Sequence, residues 1–77
     1  MEKTGRMYLD ALTKRYEAQI SEALASLNLY TDKLSAIGEH SDLLEEQDKW
    51  LGKYSEAKGK LESLKSIYPN KLEKING

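Results

Sequence analysis

Apolar side chains recur in the first half of the chain at intervals of three and four residues. The series, called the first seam, is Leu9, Leu12, Tyr16, Ile20, Ala23, Leu27, Tyr30, Leu34 and Ile37. This spacing places its members on one face of an α-helix, which repeats every 3.6 residues. The pattern predicts a helix over about residues 5–37.

A second series of the same kind occupies the other half of the chain. This second seam is Leu43, Gln47, Trp50, Tyr54, Ala57, Leu61, Leu64 and Tyr68. It predicts a helix over about residues 42–68, which Pro69 ends because a proline ring disfavours continued helix. Gly38 is the residue type that commonly follows a helix end, and Ser41 or Asp42 has the side chain of an N-cap. We therefore predict a turn at residues 38–41.

The two seams match each other when the chain folds back at this turn. Facing residues have numbers that add to 80 or 81, from Ile37 with Leu43 to Leu12 with Tyr68. Large side chains then meet near Trp50, and small ones meet where Ala23 faces Ala57. The sequence predicts an all-α fold, an antiparallel two-helix hairpin. It is a single domain over residues 1–77, with frayed residues 1–4 and a loose tail at residues 69–77.

Several large apolar residues lie outside both seams. Leu24, Leu44 and Leu51 come one position after a seam residue, and Leu29 and Tyr8 lie elsewhere. Burying a leucine side chain is worth ~1.5–3 kcal/mol, so a group of exposed leucines on a small protein indicates a partner. The simplest partner is a second copy, which gives a four-helix bundle with a two-fold axis. A different protein as partner, or a monomer, remain alternatives.

Two glycines of the second helix are candidates for the same interface. Gly52 and Gly59 are seven residues apart, opposite the second seam, and each costs about 1 kcal/mol relative to alanine inside a helix. They could allow another helix to approach closely, or they could be solvated outer positions. The predicted interface consists of Leu24, Leu29, Leu44, Leu51, Gly52 and Gly59.

Charge is distributed unevenly along a chain whose formal net charge is -1. The predicted turn carries an acidic tip without any Lys or Arg, whereas the two chain ends are rich in basic residues. The acidic tip consists of Glu39, Asp42, Glu45, Glu46 and Asp48. These negative charges could stabilise the start of the second helix through its dipole. Alternatively, they could form a binding surface for a partner. No nucleic-acid-binding motif accompanies the basic ends, which makes nucleic acid a weak candidate.

The sequence has few residues that could catalyse a reaction or bind a metal ion. The absence of cysteine excludes disulfides, thiolate metal sites and thiol catalysis, and the single His40 with nearby acids lacks the spacing of a zinc site. There is no phosphate-binding glycine loop and no set of serine, histidine and aspartate. We therefore expect no enzyme activity and no cofactor. Without an apolar membrane segment or signal peptide, we expect a cytoplasmic protein.

Three segments resemble a known group of proteins. They are Arg15-Tyr16-Glu17-Ala18-Gln19-Ile20, Ala36-Ile37-Gly38-Glu39-His40 and Leu43-Leu44-Glu45-Glu46-Gln47-Asp48-Lys49. The chain is similar over roughly residues 8–65 to small helical proteins of tailed bacteriophages that infect marine cyanobacteria. The resemblance implies a viral accessory protein made in the cytoplasm of an infected bacterium. It assigns no functional residue.

The sequence thus predicts a non-catalytic, self-associating helical hairpin that acts as an interaction or structural protein. The alternative is a regulatory protein that binds a host macromolecular complex through the acidic tip or the apolar outer face.

Overall fold

The computed structural model describes residues 3–37 and 41–69 and confirms the predicted all-α hairpin. Helix α1 spans Lys3–Ile37 and helix α2 spans Ser41–Ile67, and the two helices pack against each other. α1 begins two residues earlier than predicted, so Lys3 and Thr4, predicted to be frayed, belong to its first turn. The predicted turn residues 38–40 and the predicted tail, except Pro69, lie outside the described residues.

Pro69 explains where α2 ends. The Tyr68 N–H still donates to the Leu64 carbonyl oxygen at 3.0 Å, which continues the helical hydrogen-bond pattern by one residue. Pro69 has no N–H to donate and its ring disfavours another turn. The helix therefore ends where the sequence predicted it to end, within one residue.

The core consists of seam residues. The buried apolar side chains are Leu9, Ala23, Ala57, Leu61 and Leu64. Leu9 and Leu64 form a small cluster, and Leu12, Tyr16 and Tyr68 pack against it while they remain partly exposed. Every other seam residue with a described side chain is half-buried. No large side chain in the described part is fully enclosed, so the hairpin alone has a thin core.

Two side-chain contacts between the helices report the register of the hairpin. Gln47 Nε2 donates to Thr31 Oγ1 at 2.7 Å, and Lys60 Nζ lies 5.9 Å from the centre of the Tyr16 ring. The first contact is one helical turn away from the predicted partner of Gln47, which is Leu34. Lys60 likewise lies one turn from Leu64, the predicted partner of Tyr16. The observed register therefore agrees with the predicted one to within a turn.

The molecule is a rod with principal extents of 52 × 17 × 16 Å. Its length is that of α1, since 35 helical residues at ~1.5 Å each extend about 52 Å. The end of α1 and the start of α2 lie at one end of this rod, called the bend end, and the start of α1 and the end of α2 lie at the other, called the open end.

Candidate interaction face

Three leucines that lie outside the seams remain exposed in the hairpin. The exposed fractions are 45% for Leu24, 41% for Leu44 and 52% for Leu51. All three lie in the half of the rod nearer the bend. A half-exposed leucine is ordinary in isolation, but three on so narrow a rod leave apolar surface that the fold itself does not cover.

A hydrogen bond shows that these leucines border one surface. In α1, Leu24 lies seven residues before Thr31 and therefore on the same side of the helix. In α2, Leu44 and Leu51 lie three residues before and four residues after Gln47. Because Gln47 bonds to Thr31 across the hairpin, the two helix sides meet on one face of the rod.

We define a strip on this face by Leu24, Asn28, Thr31 and Ser35 of α1 with Leu44, Gln47, Leu51 and Ser55 of α2, and we call it the uncharged strip because none of these residues is charged. Lys58, seven residues after Leu51 and therefore on the same side of α2, lies at the end of the strip with Nζ 5.7 Å from the centre of the Tyr54 ring. Among the polar members, Gln47 and Thr31 are hydrogen-bonded to each other. Covering the strip with another helical surface would bury apolar area without removing an ion from water.

The opposite side of the seams has a different character, and we call it the lysine face. Lys53 Nζ lies 5.0 Å and Lys49 Nζ 5.4 Å from the centre of the Trp50 ring. Lys33 Nζ lies 5.3 Å from the Tyr30 ring. Such cation–π contacts cover the half-buried aromatic rings of the core with solvated ammonium groups. On this face the exposed parts of the Trp50 and Tyr30 rings are thus in contact with lysine side chains.

An open groove of about 280 Å³ lies on the lysine face above Ala57. Its lining combines both signs of charge: Gln19, Glu22, Lys53, Glu56, Ala57 and Lys60. Lys60 Nζ binds Glu56 Oε1 at 3.0 Å, and this hydrogen bond, with the charge of Glu56, raises the pKa of Lys60. The lining has two acidic and two basic side chains, so the groove has no excess of one sign to attract an ion.

A second ion pair is found near the open end. Lys14 Nζ binds Asp10 Oδ2 at 2.8 Å, and this hydrogen bond together with the charge of Asp10 raises the pKa of Lys14. Since both lysines are fully exposed, these pairs contribute little to stability. They show ordinary helix-surface pairing rather than a functional site.

The predicted glycines face away from the hairpin contact. Gly52 and Gly59 are exposed, and an added Cβ atom at either position would meet nothing within 4 Å. Neither glycine is required by contact between the two helices. Both lie outside the uncharged strip, as does Leu29, which is 51% exposed.

The acidic tip does not form a cluster in the described residues. Asp42 lies in the first turn of α2, where its charge favours the positive end of the helix dipole. Glu46 pairs with Lys49 at 3.3 Å, while Glu45 and Asp48 are exposed. Glu39 and His40 lie outside the described residues.

Residues 3–37 and 41–69 were compared with the requirements of a metal site and of a membrane-spanning helix. This part of the chain has no group of three acidic, histidine or cysteine side chains placed to hold a metal ion. Neither described helix combines the length and apolarity needed to cross a membrane. Comparisons with known protein families, with curated proteins and with solved structures found no match.

Sequence reasoning missed two features of these surfaces. The first is the Gln47–Thr31 hydrogen bond, because Thr31 is not a seam residue. The second is the lysine cover of Trp50 and Tyr30, although lysines at positions three or four residues from an aromatic residue could have indicated it. These two features distinguish the two faces of the hairpin.

Proposed function

We propose that this protein is a non-catalytic interaction or structural protein that works as a self-associated helical hairpin, with two copies packed as a four-helix bundle. The observation that supports this proposal most is the uncharged strip with its three half-exposed leucines. On the lysine face Trp50 and Tyr30 are in contact with lysine side chains, whereas the three leucines of the strip remain 41–52% exposed. One face is therefore suited to solvent and the other to protein.

The thin core favours the same proposal. Only five apolar residues in the described part are buried, and a chain of 77 residues is near the size at which a single core gives marginal stability. A second copy on the uncharged strip would enlarge the core without any change in the hairpin.

The strength of this association follows from the exposed leucine area. A half-exposed leucine that becomes buried gains about 1 kcal/mol, so six leucines in a dimer contribute about 6 kcal/mol. Association itself costs at least ~4 kcal/mol. The leucines alone leave about 2 kcal/mol, which corresponds to a dissociation constant of tens of millimolar. A dimer that forms at micromolar concentration therefore requires the rest of the strip to contribute about 3 kcal/mol more.

Light scattering coupled to size-exclusion chromatography tests the proposal. Over about 10 to 500 µM, a range chosen to bracket a weak dimer, we expect the mass to rise from one copy towards two. Leu51→Glu should keep the mass at one copy, since it places a charge in the strip. Leu29→Glu is the matched control because Leu29 is exposed to nearly the same extent, 51% against 52%, but lies outside the strip.

A folded species of monomer mass at every concentration would contradict self-association. Equal loss of association in Leu29→Glu and Leu51→Glu would place the contact elsewhere on the rod. Circular dichroism of both variants would confirm that each remains helical.

A second candidate function is a regulatory protein that binds a host macromolecular complex. It is favoured by the exposed Glu45 and Asp48 of the acidic tip. The resemblance to proteins of phages that infect marine cyanobacteria implies that such a protein would act in the host cytoplasm. Capture of a host complex from cyanobacterial lysate should be lost with Glu45→Lys and Asp48→Lys together. Capture that is unchanged by this charge reversal would exclude the acidic tip as the contact.

A further inference from the structure

Gln47 is the one seam residue with an amide side chain, and it lies inside the proposed interface. Every other member of the two seams is aliphatic or aromatic. The side chain of Gln47 is half-buried, and its Nε2 donates to Thr31 Oγ1 at 2.7 Å. Resting on the proposed self-association, we infer that these two residues, called the polar pair, select a second copy of this chain as the partner of the uncharged strip.

The polar pair lies among the three exposed leucines. At ~1.5 Å per residue along the rod, Leu44 is about 4.5 Å from Gln47 towards the bend end, and Leu51 is about 6 Å from it towards the open end. Leu24 is about 10 Å from Thr31, also towards the open end. A partner that covers all three leucines therefore also covers the polar pair.

Covering the polar pair removes water from hydrogen-bonding groups that the bond between Gln47 and Thr31 does not use. A glutamine amide has two N–H donors and an oxygen that can accept two bonds, and a threonine hydroxyl also has a hydrogen to donate. The bond within the pair uses one donor and one acceptor position. An apolar partner surface offers nothing to the others, and each buried group without a partner weakens binding by about 5- to 150-fold.

A second copy brings hydrogen-bonding groups of the matching kind. In an isologous contact both subunits present the same surface patch, so an N–H of one Gln47 amide can meet the oxygen of the other. The leucines provide no such selection, because apolar contact is non-directional. Polar residues at core positions of coiled coils act in this way, since they exclude partners that leave them unpaired.

Replacing both members of the polar pair by apolar residues tests this selection. Gln47→Leu with Thr31→Val removes the hydrogen-bonding groups of both side chains together, an exchange that can leave the stability of the fold nearly unchanged. In NMR titrations of the isotope-labelled unmodified chain, we expect the unlabelled double variant to bind at least about 5-fold more weakly than the unlabelled unmodified chain does. Light scattering gives the self-association of each chain, and the double variant should bind its own copies at least as tightly as the unmodified chain.

Gln19→Leu is the matched control, because it makes the same replacement at an exposed glutamine of the lysine face. It should bind the labelled unmodified chain as tightly as the unmodified chain does. Circular dichroism shows whether each variant is helical. Gln47→Met with Thr31→Val gives the same comparison with a more adaptable side chain in the seam.

Three results separate the two proposals. Equal binding of the double variant and the unmodified chain would overturn the selection and leave self-association standing. A helical double variant that does not bind its own copies would also overturn the selection, because the polar pair would then supply affinity rather than a choice of partner. An unmodified chain that does not bind itself would overturn both proposals.

Discussion

Buried and exposed positions of this hairpin carry residue types that suit their surroundings. Thr13 is buried, with 3% of its surface exposed, and its hydroxyl donates to the Leu9 carbonyl oxygen at 2.8 Å. The hydroxyl thus has a partner within its own helix, so burial leaves no unsatisfied group. The Cβ positions of Gly52 and Gly59, in contrast, face open space.

The two glycines provide a prediction at this scale. Gly52→Ala and Gly59→Ala should each raise the free energy of unfolding by about 1 kcal/mol, because alanine favours the helix and its methyl group meets no neighbour. Urea unfolding followed by circular dichroism measures the change. Dimerisation should be unaffected, since both positions lie outside the uncharged strip. Weaker dimerisation in either variant would show that a partner helix touches the glycines.

At the scale of the elements, the two helices meet through side chains of unequal size. Ala23 is fully buried and Ala57 is 2% exposed, so both methyl groups lie in the contact between α1 and α2. Elsewhere Tyr16, Tyr54 and Trp50 fill the seam while part of each side chain stays in water. Small residues at the middle and large ones on both sides fix how the helices lie along each other, because sliding by one turn would place a large side chain where only alanine fits.

Enlarging one of these alanines should separate the helices. Ala23→Leu should lower the free energy of unfolding by about 1–3 kcal/mol, since Ala23 is fully buried and the added atoms have no space in the contact. Ala18→Leu is the control, because Ala18 is exposed on α1 and should change stability by less than about 0.5 kcal/mol. Thermal unfolding of the two variants makes the comparison. Similar stability of both would mean that the helices are less closely packed at Ala23 than its burial indicates.

At the scale of the whole molecule, stability and association are linked. A thin core and a half-exposed leucine strip mean that the folded hairpin gains when a second copy binds, because binding to the folded state alone shifts the folding equilibrium. The rod shape adds to this, since a narrow molecule exposes much of its surface. Under the proposed self-association, the chain would be a marginal monomer when dilute and a more stable bundle when concentrated.

This linkage predicts a melting temperature that depends on protein concentration. Between about 10 and 500 µM, the midpoint should rise by several degrees, since RT ln(1 + [L]/Kd) grows with the concentration of the partner copy. Differential scanning calorimetry measures the midpoint at each concentration. For Leu51→Glu the midpoint should stay constant, whereas for Leu29→Glu it should rise as in the unmodified chain. A constant midpoint in the unmodified chain would speak against a dimer.

Much of the fold could be predicted because it depends on local and periodic information. Helix-forming residues at a spacing of three and four define each helix, and Pro69 ends the second. The predicted core positions Leu9, Ala23, Ala57, Leu61 and Leu64 are the buried ones. The pairing of the seams followed from a short turn, which leaves two antiparallel helices little choice of register.

The candidate face could be predicted only in part. The leucines outside the seams were identified as interface residues, but Leu29 and the glycines were grouped with them although they lie on other sides of the rod. Spacing along the sequence shows whether a residue lies on the seam side of its own helix. It does not show which sides of the two helices meet. The contact between Gln47 and Thr31 supplies that information.

The sequence by itself determined the two helices and, to within two residues, their ends, because periodicity and helix-end chemistry are properties of neighbouring residues. Only the tertiary structure decided that Leu24, Leu44 and Leu51 border one face of the rod while lysines contact the rings of Trp50 and Tyr30 on the other. That difference depends on how α1 and α2 are rotated relative to each other, which is set by packing across the hairpin.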